Sequence, residues 1–233
     1  MIKNNSSFEK AYFTGHYAAN VGNFTLNDLR KSINWFTAWL KFLNRYVDLK
    51  HGNQKKVLEV GCSIGAVSNL LYENGFEVYA SDISSYSVKR AKKLTQQLKR
   101  KITFSVFDVQ KPIPIKEKFD IIFCFEVLEH LTNPEKAIIN MKNKLTPKGI
   151  LICSTPNGDY DQSLYTDPTH INVKSPKEWQ KIFKSSRFSN ILISQVSFLP
   201  YFYKFSKYLS FYVPFGIEAK YFISPVFIIA KNN

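Results

Sequence analysis

Apolar residues between Leu26 and Val47 (Leu26, Leu29, Ile33, Phe36, Leu40, Leu43 and Val47) recur at the spacing of a helix with one buried stripe. Thr25 and Asp28 ahead of it are spaced as a capping box, and His51-Gly52-Asn53 stops it. From Lys56 the pattern changes to short apolar runs separated by helical stretches. It predicts strands at 57–60, 77–81, 102–107, 119–125 and 149–154, with helices near 66–74, 87–99 and 134–145. That alternation marks an α/β domain with a parallel sheet and crossover helices. Right-handed crossovers would place the carboxyl ends of these strands on one edge, where open α/β sheets bind ligands. Chemistry is therefore expected at 59–65, Asp82, Asp108 and 126–130. Beyond Pro156 follow a polar segment, a helix near 176–184, a strand near 190–198 and a last strand near 221–230. The expected organisation is an N-terminal segment and helix, 1–55, packed on a domain at 56–233 that carries an aromatic insertion at 199–220.

At 233 residues the chain can bury a core without disulfide or metal staples, and a hydrophobic share of 45% excludes collagen-like and disordered classes. Thirty-two basic against eighteen acidic residues leave +14, which favours an anionic partner such as nucleic acid, an acidic membrane surface or a phosphorylated carrier. Only Arg30, Arg45, Arg90, Arg100 and Arg187 are arginines, so the excess is lysine, the residue less suited to bidentate phosphate recognition. Lysine enrichment of a solvated surface accounts for the charge equally well. Cys62, Cys124 and Cys153 have no paired spacing and lie in or beside apolar runs, which predicts reduced, buried thiols and a cytoplasmic protein. The polar first ten residues lack the apolar core of a signal peptide, and no run approaches the ~20 apolar residues of a membrane span. A soluble protein, or one peripheral to a membrane, is expected.

The sharpest local signal is Val57-Leu58-Glu59-Val60-Gly61-Cys62-Ser63-Ile64-Gly65, a strand running into a glycine turn at a helix start. Small residues there let backbone amides approach a nucleotide-like ligand. Gly61-x-Ser63-x-x-Ala66 also fits a dinucleotide fingerprint loosely, but Glu59 would repel a pyrophosphate and attract a ligand carrying ammonium and sulfonium charge. Asp82 closes the next strand about twenty residues after Gly61, the separation at which an acid reaches ribose hydroxyls. Asp108 ends the third strand, placed to accept from an adenine amino group.

Glu59-Val60-Gly61-Cys62-Ser63-Ile64-Gly65, Asp82, Asp108, Phe119-Asp120-Ile121-Ile122 followed by Glu126-Val127-Leu128-Glu129-His130, and Leu145-Thr146-Pro147-Lys148-Gly149-Ile150-Leu151 together resemble the motifs of class I S-adenosylmethionine-dependent methyltransferases. The nearest likeness is to the broad group of ubiquinone-biosynthesis O-methyltransferases and small-molecule methyltransferases. The resemblance is close over 56–156 and holds in outline over 176–231, departing at Ser63, where glycine is usual. It implies a Rossmann-like, seven-stranded, mostly parallel sheet with helices on both faces and an antiparallel last strand. It implies S-adenosyl-L-methionine as cofactor, with Glu59 near the methionine amino group and Gly61, Cys62, Ser63 and Gly65 along the ligand. Asp82 would hold the ribose, Asp108 and Val109 would flank the adenine, and Ile83 and Glu126 would complete the cofactor-binding set. The implied reaction is in-line displacement at the sulfonium methyl, in which positioning and desolvation supply much of the catalysis. The expected acceptor is a small or lipid-linked molecule methylated at oxygen. An RNA methyltransferase, a nicotinamide-dependent oxidoreductase and a non-catalytic S-adenosylmethionine-binding module remain the alternatives.

A hydroxyl acceptor needs a base, and His130 and His170 are the candidates, with a structural position for His130 and capping of the following segment for His170 as the other readings. Glu126, Glu129 and His130, at i, i+3 and i+4, would converge on a divalent ion if that stretch were helical, but a metal-free site is expected. The basic run Lys89, Arg90, Lys92, Lys93, Lys99, Arg100 and Lys101 reads as a solvated helix face, with RNA contact disfavoured. Residues 199–220 carry aromatics and lysines suited to a hydrophobic lid or a peripheral membrane contact, with core packing or a dimer seam as the alternative.

Overall fold

The structure, a computed structural model, describes residues 12, 24–160, 167–199, 202–209, 211–218 and 224–233. Phe13, His16 and Tyr17 of the aromatic N-terminal stretch, Tyr165 and Thr166, Tyr201, and the start of the expected last strand at 221–223 lie outside the described residues. The chain divides into two compact units, Met1–Asp108 with Tyr201–Ser210 and Val109–Pro200 with Phe211–Asn233.

In the first unit, α1 (Leu26–Leu43) starts at a capping box in which Thr25 Oγ1 accepts from the Asp28 amide and the Asp28 carboxylate accepts from the Thr25 amide. It ends at Leu43, short of the expected Val47, with Asn44 as C-cap. Strand β1 (Lys56–Val60) leads into α2 (Ala66–Glu73), β2 (Glu77–Asp82), α3 (Ser85–Gln97) and the short β3 (Thr103–Val106). Leu29, Phe42 and Leu43 of α1 are buried, as are Val57 and Leu58 of β1 and Leu71 of α2, and α1 packs on α2. Helix α3 begins two residues before the expected start because Ser84 caps it, its Oγ accepting from the Ser87 amide. The lysines of the basic run are exposed. Its arginines are occupied internally: Arg90 Nη2 donates to the Phe24 carbonyl at 3.0 Å and Arg100 Nη1 to Asn69 Oδ1 at 2.9 Å.

In the second unit, β4 (Phe119–Phe125), α4 (Pro134–Lys142), β5 (Leu145–Thr155), α5 (Pro176–Ser185), β6 (Ile191–Gln195) and β9 (Val226–Lys231) surround a core that includes Phe123, Ile152, Trp179, Phe183 and Phe227. Nearly every residue of β4 and β9 is buried, as in the centre of an α/β sheet, and both are apolar but for Asp120 and the terminal Lys231. The expected strand at 190–198 breaks after Gln195. Its end forms a separate pair, β7 (Ser197–Phe198) with β8 (Tyr212–Val213), and Ser197 Oγ holds the Ile217 amide at 2.7 Å. All three cysteines are free and buried, as expected.

The seven strands run in the order β3-β2-β1-β4-β5-β9-β6, with β9 antiparallel to both its neighbours. This is the Rossmann-like arrangement that the sequence resemblance implies. Among the described residues no helix is long and apolar enough to cross a membrane.

Candidate active site

The glycine turn lies in the first unit. Gly61, Ser63 and Gly65 all take left-handed backbone, with φ of 77°, 45° and 81°. Ser63 thus adopts the conformation that the glycine it replaces would take at no steric cost. The Gly61 and Cys62 amides both donate to the Ser81 carbonyl at 2.8 Å, folding the turn back onto the end of β2. Asp82 then clamps it: one carboxylate oxygen accepts from the Ser63 amide at 2.9 Å, the other from the Ser84 amide at 3.0 Å. Ile83 lies half-buried between these contacts, and the Phe107 amide donates to the Asp82 carbonyl at 3.2 Å, placing Asp108 one residue beyond β2's edge bond.

Glu59 has a role that the sequence reading missed. Gly65 is the N-cap of α2 and has no side chain to receive the helix's first amides. Glu59, reaching from β1, accepts the Ser68 amide at 2.8 Å and also the Ser68 hydroxyl. A signal was present in the sequence, since a glycine N-cap needs an acceptor from elsewhere and the buried acid precedes it. Burial pushes the Glu59 carboxyl up to about 8 against the two Ser68 hydrogen bonds, with the Asp82 charge adding to the rise. Asp82 is also raised, chiefly by burial and against its amide contacts. Because Glu59 is shifted upward, its favourable contribution to apo stability is complete in acid and is lost as pH rises through about 8. Burial, then Asp82 and Glu59, push the Cys62 thiol up, so it is an inert neutral group here. Two buried carboxyl groups beneath the turn suit a ligand that brings positive charge, which would ionise Glu59, and hydroxyl donors. S-adenosylmethionine fits that donor set.

Gly65→Ala is expected to destabilise the fold by about 1–2 kcal/mol, the cost of left-handed backbone at a residue with a Cβ. The added methyl would also meet Ala91 Cβ at 3.4 Å, and chemical denaturation gives the measure.

In the second unit, Val109 is buried and its carbonyl accepts from Asn140 Nδ2 at 2.9 Å. Glu126 follows β4 in left-handed backbone, φ 53°. Its amide is held by the Ser154 carbonyl at 3.1 Å, and Ser154 Oγ donates to Oε1 at 2.7 Å. Burial pushes the Glu126 carboxyl up to about 7, the Ser154 hydrogen bond opposing. Leu128–His130 is one 3-10 turn, so the α-helical convergence of Glu126, Glu129 and His130 does not occur. The close group is instead Glu129, His130 and His170, with candidate ligand atoms within 4.8 Å of one another. Glu129 is fully buried, and burial, then the neighbouring Glu126, push its carboxyl well above the usual carboxyl range.

His130 has a defined tautomer. Nδ1 lies 2.9 Å from Thr169 Oγ1 and 3.3 Å from the Thr169 carbonyl. Thr169 Oγ1 donates to Asp167 Oδ1 at 2.6 Å, so it can only accept from His130, and a carbonyl accepts in any case. Nδ1 therefore carries the proton and Nε2 the lone pair, with Nε2 4.0 Å from Glu129 Oε1. Burial and the neighbouring His170 hold the imidazole down to about 4, with Asp167 opposing. The His170 ring meets it edge-on at 4.8 Å between centroids. Asp167 and Thr169 carried no signal on their own, because their role depends on the loop returning to the end of β4.

A family model described as a methyltransferase domain matches residues 33–193. The chain belongs to the methyltransferase domain family. Within it, the methyltransferase domain is similar to the ubiquinone biosynthesis O-methyltransferase of Coxiella burnetii (strain Dugway 5J108-111), 34% identical over 54% of this chain and 53% of that one. The enzyme of the same name from Glaesserella parasuis serovar 5 is 37% identical over 44% and 46% of the two chains. The chain thus spans about half the length of the curated relatives it matches. Among solved structures, the magnesium protoporphyrin IX methyltransferase of Synechocystis PCC 6803 shares the fold with a TM-score of 0.63, 18% identity and coverage of 100% of this chain and 99% of that one. PH0226 from Pyrococcus horikoshii OT3 shares it at 0.67, with 16% identity over 96% and 99%.

Proposed function

We propose that the protein is an S-adenosylmethionine-dependent methyltransferase that acts on a hydroxyl of a small-molecule or lipid-linked acceptor. The observation that carries this reading is the glycine turn clamped over the buried Glu59 and Asp82, in a chain of the methyltransferase domain family. The relatives named as ubiquinone biosynthesis O-methyltransferases support oxygen as the methylated atom and a lipid-linked acceptor.

In this reading Glu59 takes the methionine ammonium and Gly61, Cys62, Ser63 and Gly65 line the cofactor. Asp82 and Ile83 take the ribose, Asp108 and Val109 the adenine, and Glu126 closes the set. The cofactor supplies an activated methyl, and the chain supplies position, a dry site and a base. His130, neutral and with its lone pair on Nε2, accepts the acceptor's proton, His170 being the second candidate. The site works without a metal. Residues 56–233 act as the catalytic domain with 1–55 packed on it, in a cytoplasmic protein that meets a membrane peripherally through 199–220. The RNA alternative is weakened by Arg90 and Arg100, whose guanidinium groups are spent on Phe24 and Asn69.

Calorimetry with S-adenosylmethionine, S-adenosylhomocysteine and the nicotinamide cofactors tests the reading, followed by transfer of labelled methyl to phenolic and aliphatic hydroxyl acceptors. Binding of S-adenosylhomocysteine near pH ~7 should release close to one proton, because the incoming ammonium ionises a Glu59 that starts near 8. Above about pH 9 the release should vanish, and Glu59→Gln should abolish it throughout. Nicotinamide binding without S-adenosylhomocysteine binding would sink the reading.

A further inference from the structure

Helix α1 carries a surface that methyl transfer leaves unused. Two short 3-10 turns, Phe202–Lys204 and Lys207–Leu209, lie against it within the first unit. Asn34 Nδ2 donates to the Tyr203 carbonyl at 3.1 Å, and the Tyr203 ring meets Trp35 at 5.0 Å between centroids. With Tyr203 pinned inward, Phe202, Phe205 and Tyr208 are left 51%, 82% and 75% exposed, and Leu209 is 39% exposed. Adjoining apolar rings of this size on a folded surface mark a binding face.

The segment's charge selects the occupant. Over 199–220 the chain has Lys204, Lys207 and Lys220 against one acid, Glu218, in a protein of net charge +14. A second copy would bring the same lysines and the same net charge to the seam and be repelled. An anionic bilayer offers opposite charge together with an interfacial layer into which Phe and Tyr rings partition. We propose that residues 202–209, held on α1, form a membrane-docking face that takes an anionic lipid surface. The inference rests on the peripheral-contact reading of 199–220 and narrows it to this pair of turns and to one lipid charge.

The test is co-sedimentation of the full chain with vesicles of phosphatidylcholine alone and with a third of the lipid replaced by phosphatidylglycerol. Binding is expected on the anionic vesicles, weaker on the neutral ones, and falling severalfold as salt rises from about 50 to about 300 mM. Phe205→Ser with Tyr208→Ser should lower anionic-vesicle binding about tenfold or more, and Lys204→Glu about fivefold or more. Ile139→Ser, a replacement of an exposed residue on α4, should leave binding unchanged. S-adenosylhomocysteine affinity should be the same in all of these variants, which reports an intact fold and separates this inference from the cofactor assignment. Absence of binding to anionic vesicles overturns the inference, as does binding that the double aromatic variant leaves unaltered. A dimer in sedimentation velocity that the double variant splits also overturns it and gives the face to a second copy.

Discussion

Asp82→Ala should weaken S-adenosylhomocysteine binding by about 1–3 kcal/mol and cost a similar amount of stability, because ligand donors and protein amides lose the same acceptor. In the protein the carboxylate holds the Ser63 amide at 2.9 Å and the Ser84 amide at 3.0 Å, so its removal frees both the glycine turn and the start of α3. Asp82→Asn sharpens the test. An asparagine has one carbonyl oxygen and one amide nitrogen, so it can keep one backbone contact but must set a donor against the other. It should therefore bind ligand nearly as poorly as the alanine variant while keeping more stability. Calorimetry alongside chemical denaturation separates the two losses. A folded Asp82→Ala variant with unchanged affinity would remove Asp82 from the ribose site.

His130→Ala should lower turnover on a hydroxyl acceptor by about 10²–10⁴-fold with cofactor affinity held, the usual share of a positioned base. The pH profile tells which group acts. A base must be deprotonated, so the rate falls as pH drops through its own pKa. With His130 held down to about 4, turnover should stay level as pH falls from 8 to near 5, whereas a Glu126 base would impose a limb near 7. A limb near 7 that survives in His130→Ala would move the role to Glu126. His170→Ala should cost less, because His170 bears on His130 by ring contact and charge. Turnover should persist in a chelator, and its loss there would assign an ion to Glu129, His130 and His170.

Strands β1, β2, β4 and β9 were legible because strands buried on both faces of the sheet read as short, predominantly apolar runs, whether parallel or, like β9, antiparallel, and the turns between them are marked by glycine and by capping serines. The break between β6 and β7 was not. Ile191 to Phe198 keeps a strand-like composition throughout, and the break is fixed by Ser197, whose hydroxyl serves the Ile217 amide twenty residues away. The ends of helices moved by one to four residues for local reasons, Ser84 setting the start of α3 and Asn44 the end of α1. At the site, the acids and glycines could be identified as residues but their hydrogen bonds could not. Nothing local in the sequence says that the Asp82 carboxylate clamps the Ser63 amide, or that Asp167 reaches His130 through Thr169. Those arrangements exist only after distant segments have met.

The place of β9 bears on how the chain is made. Strand β6 has β9 as its neighbour in the sheet, and β9 also lines the free edge of β5, yet β9 is the last of these three to be synthesised. During vectorial synthesis, Ile150 to Ser154 and Ile191 to Ile193 wait as unpaired, apolar edges until residues 226–231 arrive between them. The ribosome therefore delivers the sheet's closing wedge after both sides of its slot, and the nascent chain passes through a sticky interval that a chaperone or fast C-terminal insertion must shorten. A chain cut before Val226 would be left permanently in that interval.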